Sequence, residues 1–272
     1  MKPDSKSKVK RLFPVCYVGL ILTCCTFAQQ PARLAKETAA KSASPDTAPA
    51  APSIDAILHR YIEALGGRAA LEKLRSRVTT GTIDVPAMSL SGKIVIREKA
   101  PNLFLSTVTI SGAAFRQGFD GDVGWTDDPD NGVREQTGPE LYEARREADF
   151  YHPLHIEKLY SKLNLVGQEK LAERSVYLVE GSLVEGGDPD KLYFDTKTGL
   201  ITRVITVRHL PEGASIYRED FEDFRNVDGI KLPFLIHLSE GESEYTVKVE
   251  EVHHNLEMDD ALFLKPAVKV SE

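Results

Sequence analysis

The stretch KIVIREKAPNLFLSTVTISGAAFRQGF, residues 93–119, carries the pattern of an antiparallel sheet. Its Val, Ile, Thr and Phe residues fall into three runs, which are separated by Ala100-Pro101 and by Ser111-Gly112. β-branched and aromatic residues favour strands, whereas Pro and Gly favour turns. Strands joined by such short turns pair antiparallel. The stretch therefore predicts a meander whose three strands are Ser89–Glu98, Asn102–Ile110 and Ala113–Phe119.

The same pattern continues on both sides of this stretch. One more strand is predicted before it, at Thr79–Val85. Seven are predicted after it, at Leu163–Gly167, Ser175–Leu183, Lys191–Asp195, Leu200–His209, Ser215–Phe224, Ile230–Leu238 and Glu244–Val252. Turn residues separate most of these runs, for example Thr198-Gly199 and Asp228-Gly229. The total is about eleven strands.

Helices are predicted in two places. Ser53 is a good N-cap, and apolar residues then recur at spacings of three and four up to Leu65, where Gly66-Gly67 ends the helix. A short second helix follows at Ala69–Leu74, and residues 137–161 form a helical insert between strands. About eleven strands are too many to stay flat. We therefore expect an α+β fold, a strongly curved antiparallel sheet or incomplete barrel with helices packed on its concave side.

The beginning of the chain has the three parts of a secretory signal peptide. Five basic residues precede Leu12, an apolar run reaches Leu22, and Thr26-Phe27-Ala28 places small residues before a cleavage point. The apolar run is shorter than the roughly 20 residues of a transmembrane helix. We expect residues 1–28 to be a signal peptide and the protein to be exported to the periplasm. An uncleaved anchor helix is the alternative.

The three cysteines of the chain permit another interpretation of the same segment. Cys16, Cys24 and Cys25 all lie within it, so cleavage after Ala28 leaves no thiol for a disulfide or a Cys-ligated metal. The sequence before Cys24 or Cys25 is close to a bacterial lipobox, although Thr or Cys replaces the small residue expected there. A lipid on either cysteine would anchor the protein to a membrane.

A change of composition separates this segment from the domain. Residues 29–52 are rich in Ala and Pro, with no periodic apolar residues, and they predict a disordered linker. The domain is expected at 53–272. Of the 34 basic and 41 acidic residues, eight and three lie within 1–52, so the remainder carries a net charge of −12. This acidity argues against nucleic-acid binding, and it leaves a lipid anchor as the expected membrane contact.

No motif in the chain carries a catalytic signature. Asp127–Gly132 fails as a calcium loop because Gly138 stands where a carboxylate is required, and Asn131-Gly132 is better interpreted as a hairpin turn. His152, His155 and Glu157, or His253-His254, have no spacing that indicates a converging zinc site. No Ser lies in a nucleophile elbow. We therefore expect no enzyme activity, no metal and no cofactor.

Several short stretches carry a resemblance to a known family. They are YIEALGG at 61–67, GFDG at 118–121 with Gly124-Trp125, LYFD at 192–195 with TGL at 198–200, VDGIKLP at 227–233, and DALF at 260–263. Over most of residues 53–266 the chain resembles LolA-like outer-membrane lipoprotein-sorting proteins. The resemblance implies an incomplete barrel whose helices cover an apolar cavity for acyl chains. A single LolA-like β domain is the expectation for 53–272.

Two classes of function follow from this. In the first, a non-enzymatic envelope protein binds an apolar ligand, such as an acyl chain or a lipidated protein, between sheet and helices. In the second, a structural or interaction module has a filled core and no ligand. Trp125, the only tryptophan, either packs in the core or lines a cavity. Our candidate cavity-lining residues are Leu103, Leu105, Trp125, Leu141, Tyr142, Phe150 and Leu154.

Overall fold

The computed structural model describes residues 51–210 and 213–267. The signal peptide predicted at 1–28 lies outside the described residues, and so do the possible lipidation sites Cys24 and Cys25. All of the predicted linker except residues 51 and 52 lies outside them as well. These expectations therefore stay predictions.

One antiparallel sheet accounts for most of the described chain, which confirms the α+β class. It has thirteen strands rather than the eleven expected: β1 Ser76–Val85, β2 Leu90–Lys99, β3 Leu103–Ile110, β4 Ala113–Phe119, β5 Gly124–Asp128, β6 Gly132–Glu135, β7 Tyr160–Leu171, β8 Arg174–Leu183, β9 Asp190–Asp195, β10 Ile201–Leu210, β11 Gly213–Val227, β12 Ile230–Glu240 and β13 Ser243–His254.

The two strands that the sequence pattern missed are β5 and β6, which form a short hairpin. They have five and four residues, too few for a clear alternation of apolar and polar side chains. The hairpin turn expected at Asn131-Gly132 is confirmed, because Asp128 pairs with Gly132 across it. Asp128 Oδ1 accepts hydrogen bonds from the backbone N–H groups of Asp130 and Asn131, at 2.8 and 2.7 Å. The side chain thus fixes the turn.

Four helices accompany the sheet in the described part of the chain. They are α1 Ile54–Leu65, α2 Arg68–Leu71, α3 Gly138–Ala148 and α4 His152–Leu159. Ser53 caps α1 as predicted, since its Oγ accepts from the backbone N–H of Ala56 at 3.2 Å. Gly66 follows α1 with φ at 132° and returns hydrogen bonds to the last turn. None of the helices in residues 51–210 and 213–267 is long and apolar enough to cross a membrane.

The strand order runs β6-β5-β4-β3-β2-β1-β13-β12-β11-β10-β9-β8-β7. Sequence neighbours pair throughout, and the first and last strands of the meander are joined at its centre through the β1–β13 pair. The short strand β6 forms one edge of the sheet and β7 forms the other. Helix α3 contacts β3, β4 and β5, which lie towards one edge, and also β10, which lies towards the other.

The core divides into several clusters, one of which spans the centre of the sheet. One cluster joins β1–β4 to β11–β13 and includes Ile110, Phe115 and Val247. Another packs α1 and α4 on β7–β10 and includes Ile57, Ile156 and Phe194. A smaller cluster holds α2 against the start of β12. The helices therefore bury their apolar faces on the sheet, next to the cavity described below.

Candidate functional site

A cavity of about 380 Å³ lies between the helices and the sheet. All four helices contribute to its wall, as do strands β1, β2, β7 and β9–β12. Its volume falls within the roughly 300–1,000 Å³ of ordinary ligand pockets, towards the small end of that range. The residues that line it separate into an apolar group and a charged group.

The apolar wall comes from the helices and from the facing strands. Leu65 and Leu71 come from the first two helices, and Leu154 and Ile156 come from α4. The sheet supplies Leu192, Ile201, Val204, Phe221, Phe224, Ile230 and Leu232. Two hydrogen bonds position the segment before α4, because Tyr151 Oη donates to the carbonyl oxygen of Leu74 at 2.8 Å and accepts from Arg75 Nη1 at 2.8 Å.

Two paired arginines lie in the same cavity wall. The guanidinium of Arg77 binds both carboxylate oxygens of Glu98, at 2.5 and 2.6 Å, in the fork geometry that favours strong pairing. Arg146 donates to Asp190 at 2.6 Å and lies 3.4 Å from Glu143. Asp190 is completely buried and also accepts from Tyr160 Oη at 2.8 Å. These arginines are thus neutralised within the protein.

A third arginine, Arg208 of β10, is shared among several carboxylates. Its guanidinium stacks on the Tyr217 ring with Cζ 3.4 Å from the ring centre. The phenol of Tyr217 and the carboxylates of Glu240, Glu143 and Glu147 all raise the pKa of Arg208, against the opposing effect of burial. Arg208 is also the cation that most lowers the pKa of Glu219 on β11. One guanidinium therefore serves four carboxylates.

Two of these carboxylates, Glu147 and Glu219, have perturbed acidity. Burial raises the pKa of Glu147 to about 7, because the opposing effect of the positive charge of Arg208 is smaller. Burial likewise raises the pKa of Glu219. Gln117 donates to Glu147 at 3.0 Å, and Tyr217 Oη lies 3.5 Å from Glu219.

The accessible surface of Glu147 faces the cavity. Its side chain is exposed, yet burial of the carboxylate raises its pKa. Both observations agree if the exposed surface is that of the cavity, which Glu147 lines. Water in the cavity therefore partly solvates this carboxylate, and a ligand that displaces the water would meet it directly.

A second recess of about 420 Å³ adjoins the cavity. Glu143 and Arg208 line both spaces, so these side chains lie between the two. The outer walls of the recess are the start of α3 and the turn at Gly186-Gly187, with Glu185 and Asp188 beside it. The charged end of the cavity thus lies near a second opening.

The candidate residues from the sequence are distributed over four places. Phe150 and Leu154 line the cavity, and Tyr142 lines the second recess. Trp125 is 1% exposed and lies in the core with Leu105 and Phe263, and Leu103 packs against them. Leu141 packs against Phe104 and Phe119 in a neighbouring cluster. A ligand-binding role for any of the seven stays a prediction.

The charged residues of the cavity were missed by the sequence analysis. The cavity-lining residues of β10 are Val204, Thr206 and Arg208. Ile205 and Val207, on the opposite face of the strand, are at least as apolar, so the sequence pattern does not reveal which face is inside. On β11 the cavity-facing residues are Tyr217, Glu219 and Phe221. A glutamate between two aromatic residues on one face of a strand is the sequence feature that could have indicated this charged part of the cavity.

The histidines do not form a metal centre in the described part of the chain. No group of three or more His, Cys, Asp or Glu residues there could hold an ion. His152 lines the cavity, and its pKa is lowered to about 4 by burial and by the charge of Arg146. His155 Nδ1 instead lies 2.8 Å from Asp149, and His254 Nδ1 lies 3.0 Å from Asp228. The histidines thus have separate partners.

Comparison with known proteins identifies the fold. Neither a protein-family model nor a curated protein matches the chain. Among solved structures, a DUF1329 family protein from Desulfovibrio piger aligns over 78% of this chain and 97% of its own, with 13% identity and a TM-score of 0.53. A LolA superfamily protein from Nitrosomonas europaea aligns over 79% and 99%, with 14% identity and a TM-score of 0.51. The expected LolA-like fold is confirmed, and the likeness extends to the fold alone.

Proposed function

We propose that this protein binds an apolar ligand, such as an acyl chain, in the cavity between its sheet and its helices. It acts as a non-enzymatic binding protein of the cell envelope. The cavity with its continuous apolar wall is the observation that carries this proposal. Burial of a chain there would contribute about 25 cal/mol per Å² of apolar surface removed from water. The fold shared with a LolA superfamily protein supports the same function.

Contacts of α3 support a strongly curved sheet, with the helices on its concave side. Neighbouring strands lie about 4.8 Å apart. Strands β4 and β9 are eight positions apart in the sheet order, about 38 Å if the sheet were flat. Yet successive residues of α3 reach both strands, since Glu147 accepts from Gln117 at 3.0 Å and Arg146 donates to Asp190 at 2.6 Å. A sheet that curls around the helix accounts for both contacts.

The volume of the cavity limits the size of the ligand. If a methylene group takes about the 30 Å³ of a water molecule in the liquid, 380 Å³ holds roughly a dozen such groups. This is one chain of moderate length rather than the several chains of a lipidated protein. The cavity also favours ligand binding over the alternative of a structural module with a filled core.

A substitution that fills the cavity tests this function. Val204→Phe places an aromatic ring into the apolar wall from β10. We expect the affinity for 1-dodecanol to fall about tenfold, because the loss of two buried methylenes removes about 1.6 kcal/mol. Isothermal titration of the purified, delipidated full chain measures the affinity, and mass spectrometry of the untreated protein measures co-purified lipid.

The matched control is Val184→Phe, because Val184 is 61% exposed and does not line the cavity. This variant should bind dodecanol like the wild type. A wild-type protein that carries no lipid and gains no thermal stability from dodecanol would exclude the proposed function. Equal loss of affinity in both variants would show that dodecanol does not bind in the cavity.

Export and a single LolA-like domain at 53–272 complete the proposal. Residues 1–28 supply the signal peptide, residues 29–52 the linker, and Cys24 or Cys25 a possible lipid anchor. The intact mass of the protein recovered from its host separates the possibilities. A mature N-terminus at Gln29 indicates release into the periplasm, and a diacylglyceryl group on Cys24 or Cys25 indicates anchoring. A full-length unprocessed chain would contradict both.

A further inference from the structure

The two ends of the cavity differ in chemistry. Glu219 and Phe224 both line it from β11, five residues apart, with Asp223 between them in a left-handed conformation at φ 50°. Apolar side chains from α1, α4 and β12 surround the Phe224 end, and Lys231 of β12 also lines the cavity there. The Glu219 end also holds Glu147 and Arg208. Such a division suits an amphiphile, a molecule with an apolar chain and a polar head group.

The sign of the charge at the polar end indicates the head group. Arg77 and Arg146 are already paired with Glu98 and Asp190. Arg208 therefore remains as the main cation for Glu147 and Glu219, and it also interacts with Glu143 and Glu240. Even with Glu143 assigned to Arg146, which lies 3.4 Å away, acid exceeds base at this end. A positively charged group would be attracted here, and a carboxylate or phosphate would be repelled.

The neighbouring recess makes this end accessible to a head group. Glu143 and Arg208 separate the cavity from the recess, and Glu140, Glu185 and Asp188 line the recess beyond them. A cation at the charged end could therefore keep part of its hydration, and Glu185 lies beyond it, whereas Glu140 and Asp188 are paired with Arg134 and His209. A cationic head group is costly to bury without such partners.

We propose that the cavity selects amphiphiles with a positively charged head group, which Glu147 and Glu219 bind while the chain lies along the apolar wall. This inference rests on the proposed function and specifies its class of ligand. Glu147 and Glu219 act here as determinants of specificity. The apolar chain of the amphiphile contributes affinity whatever its head group, whereas the two carboxylates determine which head group the cavity accepts.

A series of probes with the same chain tests the inference. Dodecylamine, 1-dodecanol and dodecanoate carry a cation, a neutral group and an anion on twelve carbons. At pH 8 the delipidated full chain should bind dodecylamine roughly tenfold more tightly than dodecanol, and dodecanoate more weakly than both. The variant E147Q/E219Q should bind the three alike, because its amides keep the shape of the side chains and remove their charge.

The control variant is E157Q/E222Q, which changes two exposed glutamates on α4 and β11 that do not line the cavity. It should retain the preference of the wild type for dodecylamine. If the wild type binds the three probes equally, or dodecanoate most tightly, the inference is overturned while the proposed function stands. If no probe binds, the proposed function fails together with the inference.

The dependence on pH provides a second readout. The carboxylate of Glu147 faces Gln117 of β4, Arg208 of β10, Glu219 of β11, Glu143 of α3 and Glu98 of β2. The pKa of Glu147 is about 7, so acidification to pH 6 protonates it and removes a charge that the amine needs. Dodecylamine, which stays protonated, should lose roughly tenfold in affinity between pH 8 and pH 6.

The neutral probe should respond in the opposite direction. Dodecanol displaces water from a carboxylate, which favours its protonated form, so the affinity for dodecanol should rise or stay level on acidification. In E147Q/E219Q the affinity for dodecylamine should no longer fall with acidification. An amine affinity that rises on acidification in the wild type would overturn the inference.

Discussion

At the scale of single residues, the contact between Gly118 and Trp125 shows how closely this fold is packed. The two residues lie directly opposite each other on β4 and β5. The indole of Trp125 lies across the glycine and donates from Nε1 to the carbonyl oxygen of Phe263 at 2.8 Å. A Cβ atom on Gly118 would lie 2.3 Å from Cε2 of the indole. The glycine is required by the ring opposite it.

Gly118→Ala should therefore destabilise the protein strongly. The methyl group would force the buried indole to move and would strain its hydrogen bond, at a cost of about 2–3 kcal/mol in the free energy of unfolding. Urea denaturation followed by tryptophan fluorescence measures this cost. Gly167→Ala on β7 is the control, since no heavy atom lies within 4 Å of its added Cβ, and its effect should stay within about 0.5 kcal/mol. Equal stability of the two variants would contradict the packing argument.

At the scale of elements, α3 joins parts of the sheet that are far apart in strand order. Ala144 and Ala148 pack against Phe104 and Phe119 in the first half of the sheet. Arg146, between them, reaches Asp190 at the start of β9. The small side chains allow the helix to approach closely on one side, and the arginine connects it to the other. The charged pair thus holds a helix that also forms part of the cavity wall.

Arg146→Met should show how much this connection contributes. Asp190 is fully buried, so removal of the guanidinium leaves a buried carboxylate with only Tyr160 as its partner. Loss of one member of a buried ion pair costs about 3–5 kcal/mol. Arg145→Met alters the exposed neighbour and should change the free energy of unfolding by less than about 0.5 kcal/mol. Urea denaturation of both variants is the measurement, and a small effect of Arg146→Met would argue against a structural role for the pair.

The sequence predicted elements better than it predicted the site. Helix α1 was recognisable from its Ser53 cap and its apolar period, and the eleven longer strands from their composition. The hairpin of β5 and β6 was too short to show a period. The cavity depends on which residues distant strands bring together, as with Glu147 on α3 and Glu219 on β11. No local pattern contains that information, because both are ordinary surface residue types.

At the scale of the whole molecule, the meander connects its two ends through the middle of the sheet. β1 and β13 pair over residues 77–84 and 246–254, with one irregularity between Thr80 and Gly81. Gly81 is needed at this point, because a Cβ there would lie 2.2 Å from the carbonyl oxygen of Lys248. The first strand and the last therefore depend on each other. Pairing across such a sequence separation forms slowly, since the loop entropy must be overcome first.

The open sheet has a further consequence for how copies of this protein meet. Edge strands offer unpaired backbone groups, and they can recruit strands from other chains and so seed aggregation. One edge, β6, has only four residues. The other, β7, is long, but its pairing with β8 is irregular at two points and it carries Lys162 and Lys170. A short edge strand on one side, and an irregular edge strand with lysines on the other, both disfavour the addition of strands from other molecules. The sheet can thus stay open at both edges without polymerising.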